Sequence, residues 1–175
     1  MDNITLKQKV NEIVKLINNR SYNKALGELN IILENNKNNP KILNLYGIVQ
    51  LQLNMLNEAI KSFENAIELD PKFIQAFNNL GNVYIKLGKF LRAIEIYNKV
   101  LSIKPDYPAG YNNLASAQND LGEYENSIKN YGKALHFDPN YVSAKNNIIQ
   151  VLTFYNPKNS NQNIFTKLNA ELQLI

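Results

Sequence analysis

IQAFNNLGNVYIKLGKFLRAIEIYNKVLSIKP, residues 74–105, holds two helical patterns joined at Leu87-Gly88-Lys89. Phe77, Leu80, Gly81, Tyr84 and Leu87 fall on one face of the first. Phe90, Ala93, Ile94, Tyr97 and Leu101 fall on one face of the second, which is the spacing of an amphipathic helix. Gly81 and Ala93 are small where two helices must approach closely. Pro105 ends the unit, because proline lacks the N–H that a helix interior needs.

Copies of the unit lie on either side. Pro71, Pro105 and Pro139 recur every 34 residues, as do Ala25, Ala59, Ala93 and Ser127. Phe63, Tyr97 and Tyr131 keep the same interval, and so do Gly47, Gly81 and Ala115. The chain therefore resembles the tetratricopeptide repeat family in Leu80-Gly81-x-x-Tyr84, Ala93, Tyr97 and Pro105. The likeness runs from Leu6 to about Tyr155. Gln50 and Gln118 depart from it at the place of Tyr84, and Val100 departs at the place of Ala66 and Ala134. The first copy keeps little beyond Tyr22, Ala25 and Leu29. The resemblance implies an all-α, right-handed superhelical solenoid of antiparallel helix pairs.

Taken in order, the first helix runs to about Asn18 with Leu6, Val10, Ile13, Val14 and Ile17 inward, capped by Asp2 or Asn3. A second, from Ser21 to about Glu34, carries Ala25, Leu26, Leu29 and Ile32. Residues 35–39 form a polar loop, and Pro40 suits the first turn of the next helix. Helix pairs follow at about 41–53 with 56–69, 74–87 with 90–103, and 108–121 with 124–137. A capping helix over about 142–154 turns Ala144, Ile148, Ile149 and Leu152 inward. Phe63, Tyr84, Phe90, Tyr97 and Tyr124 read as core aromatics, while Tyr107, Tyr111 and Tyr141 stand at repeat starts. Pro157 breaks the pattern, 156–163 reads as loop, and a last helix over about 164–173 aligns Ile164, Phe165, Leu168 and Leu172. That helix is expected to fold back on the repeats or to join two copies into a homo-oligomer. The whole of 1–175 is expected to be one repeat domain, with repeats at about 6–39, 40–73, 74–107 and 108–141.

Composition narrows the function. The chain has no cysteine, which excludes disulfides, thiolate metal sites and cysteine nucleophiles. Its one histidine, His136, falls where other copies have Glu68 and Ser102, so it is expected to be exposed, and without cysteine it cannot assemble a typical zinc site. No glycine belongs to a phosphate-cradling loop, and no cofactor or metal is expected. A net charge of +4 with scattered lysines argues against nucleic acid as a partner. No stretch is apolar enough for a signal peptide or a membrane span, so a cytoplasmic protein without membrane contact is expected. No catalytic constellation emerges.

Asparagine is the positive signal. Asn78-Asn79, Asn112-Asn113 and Asn146-Asn147 recur at the repeat period. In the tetratricopeptide family the first helix of each pair lines a concave groove. The resemblance thus implies a groove set of Asn44, Asn78, Asn79, Asn82, Asn112, Asn113, Ser116, Asn119, Asn146, Asn147 and Gln150. A side-chain amide offers both a donor and an acceptor, which suits the backbone of an extended peptide. Asn79, Asn113 and Asn147 would form a ladder, similar to that of the repeat domain of O-linked N-acetylglucosamine transferases. The competing reading is compositional: asparagine is abundant throughout, and some of these residues would bridge neighbouring helices. The family's clamp for a chaperone's C-terminal carboxylate uses cations, but the comparable positions here hold Asn44, Ile48, Asn79, Ala109 and Asn113. The expectation is a non-catalytic peptide-binding interaction module. Its alternatives are a targeting domain of a larger enzyme such as a glycosyltransferase, and a self-associating scaffold.

Overall fold

The structure is a computed structural model that describes residues 3–154. Among the described residues there are nine α-helices and no strand. They fall into two compact units, residues 1–87 and residue 88 onward. The first unit holds α1 (Asn3–Asn18), α2 (Tyr22–Asn35), α3 (Pro40–Gln52), α4 (Leu56–Leu69) and α5 (Ile74–Lys86). The second holds α6 (Phe90–Ile103), α7 (Pro108–Asp120), α8 (Tyr124–Phe137) and α9 (Val142–Phe154).

The turns inside the helix pairs share one device. Arg20, Asn54, Gly88 and Gly122, each one repeat apart, all adopt positive φ, between 56° and 86°. This left-handed residue lets the chain leave a helix while the next N–H reaches back to an orphan carbonyl. Ser21 N–H donates to the Leu16 carbonyl, Met55 to Gln50 and Glu123 to Gln118, each at 2.8 Å. Only at two of the four turns is the strained residue a glycine. Between repeats, Asn39 caps α3 by accepting from the N–H groups of Lys41 at 3.0 Å and Ile42 at 3.4 Å, and Pro40 follows as the first helical residue.

In the first unit, Ile13, Ala25, Leu29, Ile32, Ile42 and Val49 form one apolar cluster. A second joins Leu43, Ala66 and Ala76. The repeat's small residue explains how α3 and α4 meet: a Cβ on Gly47 would lie 2.6 Å from the ring of Phe63, which is wholly buried. In the second unit, Ala115, Ile128, Tyr131, Ala134, Leu135, Ala144, Ile148 and Val151 pack together across α7, α8 and α9. Full burial of each large side chain in these clusters contributes roughly 1.5–3 kcal/mol.

Three expected core positions are exposed. Val14 is 37% exposed while its neighbour Ile13 is wholly buried, so the face that α1 turns to the cluster is centred on Ile13 and leaves Val14 at its edge. Tyr124 opens α8 beside the Gly122 turn, where Leu121 and Glu125 are exposed too. Ile149 is 58% exposed. It stands at the position of Gly47 and Ala115, which face the second helix of their pairs, and a second helix after α9 would fall outside the described residues. The cap at Asp2, the break at Pro157, the loop 156–163 and the helix expected over 164–173 also lie outside them.

The departures from the repeat pattern find partners. Gln50 is buried in α3, and its Oε1 accepts from the buried Ser62 hydroxyl at 2.6 Å. Gln118 in α7 accepts from Asn130 Nδ2 at 2.7 Å and donates to Glu123 at 3.3 Å. The copy between them carries Tyr84 and Ile96 at these two positions. A buried polar group left alone costs stability, and in these two copies each buried glutamine is given a partner.

Candidate functional site

The polar residues of the first helices form one surface in each unit. In the first unit, α3 and α5 lie side by side, and Asn79 Nδ2 donates to Asn44 Oδ1 at 2.9 Å. Asn44 is buried, Asn78 and Asn79 are half-buried and Asn82 is exposed. The second unit repeats the arrangement on α7 and α9. Asn147 Nδ2 donates to Asn112 Oδ1 at 3.1 Å, and Asn112 Nδ2 donates to Asn113 Oδ1 at 3.4 Å. Asn112 is buried, Asn113, Ser116, Asn119 and Asn147 are half-buried, and Asn146 and Gln150 are exposed.

Both interhelical bonds link residues 35 apart, one position more than the repeat. Adjacent first helices are offset by that one residue, so the downstream asparagine lies over the upstream one. The upstream amide is the anchor, closed off from solvent. The downstream amide keeps an edge at the surface, with one Nδ2 hydrogen beyond the one it donates.

Tyr131 of α8 is buried in the apolar cluster that joins α7, α8 and α9. Burial pushes its phenol above the ordinary range, the Ser116 and Asn147 side chains beside it pull it back, and the charge of nearby Asp120 pushes it up again. Asp120 is the last residue of α7. It stands one turn beyond Ser116 and two beyond Asn113, on the same stripe. Partial burial raises its carboxyl above the usual carboxylate value, while a hydrogen bond from Asn119 lowers it. Asp120 and Tyr131 were not among the residues expected from sequence. The helical spacing from Asn113 and Ser116 pointed to Asp120, but nothing in the residue order pointed to the phenol.

His136 is exposed on α8, its ring edge-on to Phe137 at 5.3 Å and remote in sequence from the asparagines. Among the described residues no group of three or more His, Cys, Asp or Glu could hold a metal ion. No helix among them is long and apolar enough to cross a membrane.

Paired antiparallel helices, a fixed repeat length and small residues at each crossing define an all-α helical-repeat protein. Family models described as TPR repeat match residues 49–88 and 81–122, and a tetratricopeptide repeat model matches 108–141. Together they cover more than half of the chain, which belongs to the tetratricopeptide repeat family. No curated protein matches it in sequence. A solved structure of the MamA RS-1 ArsTM double mutant aligns over 84% of this chain and 83% of its own, with 22% identity and a TM-score of 0.73. MamA 41-end from Desulfovibrio magneticus RS-1 aligns over 96% of this chain and 94% of its own, with 22% identity and a TM-score of 0.70. The first TPR of Spaghetti (RPAP3), bound to the HSP90 peptide SRMEEVD, aligns over 65% of this chain and 90% of its own, with 23% identity and a TM-score of 0.61. At these identities the likeness is one of fold.

Proposed function

We propose that the protein is a non-catalytic interaction module that binds an extended peptide on the amide-lined faces of its first helices. The observation that carries this reading is the pair of surfaces in which one asparagine is buried as an anchor and the next is held over it at the surface. Amides fixed in this way meet a peptide's N–H and C=O groups with little further ordering, which lowers the cost of binding. The peptide held by the structurally similar RPAP3 domain supports the mode, since it shows this fold accommodating a short linear segment. The absence of cysteine and the exposed position of the single histidine support a non-catalytic role.

The residues that would contact peptide are Asn79 and Asn82 in the first unit, and Asn113, Ser116, Asn119, Asn146, Asn147 and Gln150 in the second. Asn44 and Asn112, buried beneath them, would hold their neighbours in place, and Asn78 would line the first surface beside Asn79. The test is a selection of displayed random peptides on the whole chain, followed by calorimetry with a recovered peptide. Replacing Asn119, Asn146 and Gln150, all of the second unit, together by alanine should weaken a peptide held there by about 1.5–4.5 kcal/mol, at 0.5–1.5 kcal/mol for each hydrogen bond. The melting temperature should hardly move. Undiminished affinity in a folded triple variant would place recognition elsewhere.

A further inference from the structure

We propose that the exposed apolar face of α9 is the docking site of the chain's own segment 161–172, which packs there as the second helix of a fifth repeat. The inference stands apart from the peptide-binding reading. It starts from two side chains on one stripe of α9: Val142 is 65% exposed, and Ile149, two turns on, is 58% exposed. In the complete pairs, the second helix covers the matching positions of the first. Gly47 lies against the Phe63 ring, Gln50 bonds Ser62, and Gln118 bonds Asn130.

The repeat of 34 residues assigns a partner to each position of that stripe. Phe165 takes the place of Phe63, Tyr97 and Tyr131, and so comes opposite Ile149. Ile164 takes the place of Ser62 and Asn130, and so comes opposite Leu152. Where the first helix offers a glutamine the second offers a polar partner, and where it offers Leu152 the segment offers isoleucine. In an antiparallel pair, seven residues back on one helix match seven on along the other, so Val142 meets Leu172. The other copies carry Asp70, Lys104 and Asp138 at that place. The far side of the segment is polar. Leu101 faces the following repeat, its Cδ2 lying 2.9 Å from where a Cβ on Gly110 would fall. Leu33, Ile67 and Leu135 hold the same place, but the segment has Asn169 there, as suits the outer face of a terminal repeat. Ile149 is bulkier than the glycine or alanine of other copies, and Pro157 has no N–H to close the turn as Met55 and Glu123 do at 2.8 Å. The fifth pair is therefore held less tightly than the rest. With the segment in place, α9 is an inner wall and offers no face for joining a second copy.

The chain has no cysteine, so a single introduced thiol reports its own exposure. The whole chain is prepared as Ile149→Cys and, for an exposed reference on the same helix, as Ser143→Cys. Each is reacted with a maleimide, and its rate is taken relative to that of the same variant in urea. The Ile149→Cys thiol should react about tenfold or more slowly than the Ser143→Cys thiol, at every protein concentration. Adding Phe165→Asp should bring the two rates together, whereas adding Asn169→Asp, on the outer side, should leave the protection as it was. Equal rates in the two single variants would overturn the proposal. So would protection that survives Phe165→Asp or is lost with Asn169→Asp. Protection that appears only as concentration rises, with a dimer in light scattering, would give the face to a second copy and overturn it as well.

Discussion

Two buried serines should respond to alanine in opposite directions. Ser127 lies in α8 with no exposure, and its Oγ has no hydrogen-bond partner among the described residues. It comes close enough to the Tyr131 phenol to favour the ionised form without making a bond of proper geometry. Alanine occupies the equivalent positions 25, 59 and 93, each fully buried, so the site accepts a methyl group. An orphaned hydroxyl costs about 1–3 kcal/mol. Alanine adds roughly 0.5 kcal/mol of helix propensity. Allowing for the contacts of the lost oxygen, Ser127→Ala should stabilise by about 1–2 kcal/mol. Ser62 is equally inaccessible in practice, at 6% exposure, yet its hydroxyl donates to Gln50 Oε1 at 2.6 Å. Ser62→Ala would strand that oxygen on a residue only 4% exposed, so a net loss of about 0.5–2.5 kcal/mol is expected after the same propensity gain. Urea denaturation followed by helical circular dichroism reads both signs directly. In a melt, each kcal/mol should appear as about 2–4 °C. Shifts of the same sign for the two variants would refute the reasoning, since it attributes the difference wholly to the presence of a partner.

Three further outcomes follow from the packing and the charges. Arg20 holds φ at 56°, where Gly88 and Gly122 stand in later copies, so Arg20→Gly should raise the urea midpoint by the equivalent of about 0.5–1 kcal/mol. Gly47→Leu should lower it by about 1–3 kcal/mol, because even a Cβ would lie 2.6 Å from the buried Phe63 ring; a melt matching the parent would mean that α3 and α4 cross differently. Asp120 has a carboxyl raised above its ordinary value of 3.8 by burial, so the folded state disfavours its ionisation. Stability should therefore fall slightly as pH rises through that value and the folded pKa, and Asp120→Asn should match the parent in acid and exceed it at neutral pH. A stability difference that stays constant with pH would show that the carboxylate carries no such cost.

The helix pairs were legible because their evidence is periodic. Proline at 71, 105 and 139 and the small residues at 47, 81 and 115 set boundaries that the helices keep to within one or two residues. What depends on a partner was not legible. Gln50 and Gln118 looked like flaws in the pattern until Ser62 and Asn130, twelve residues on, proved to bond them. Val14, Tyr124 and Ile149 have the right character for a core, but among the described residues each is left exposed, which its place in the repeat pattern alone did not reveal. Of the candidate site, the asparagine spacing singled out the first helices, on which the structure brings Asn79 to Asn44 and Asn147 to Asn112. It did not separate Asn44 and Asn112, sealed beneath the surface, from Asn146 and Gln150 upon it. That difference comes from the offset between neighbouring first helices.

The bridging and ladder readings of the asparagines pull on different atoms. An amide has two N–H hydrogens and an oxygen with two lone pairs, and the bond from Asn79 to Asn44, like that from Asn147 to Asn112, uses one hydrogen of the downstream residue. At Asn147 the Tyr131 phenol lies beside the amide too, so less capacity is left for a peptide there than at Asn79, and at both the bridge fixes the plane in which it is offered. Immobilising a free polar side chain on binding costs about 0.5–1.5 kcal/mol, comparable to one net hydrogen bond, so an unbridged ladder would gain little from each rung. On the proposed reading, bridging would lower the ordering cost of binding a peptide on a neutral amide surface. It also separates two kinds of variant. Asn147→Ala removes the donor to buried Asn112 and should lower stability as well as affinity, whereas Asn146→Ala, on an exposed side chain one residue earlier, should change affinity alone.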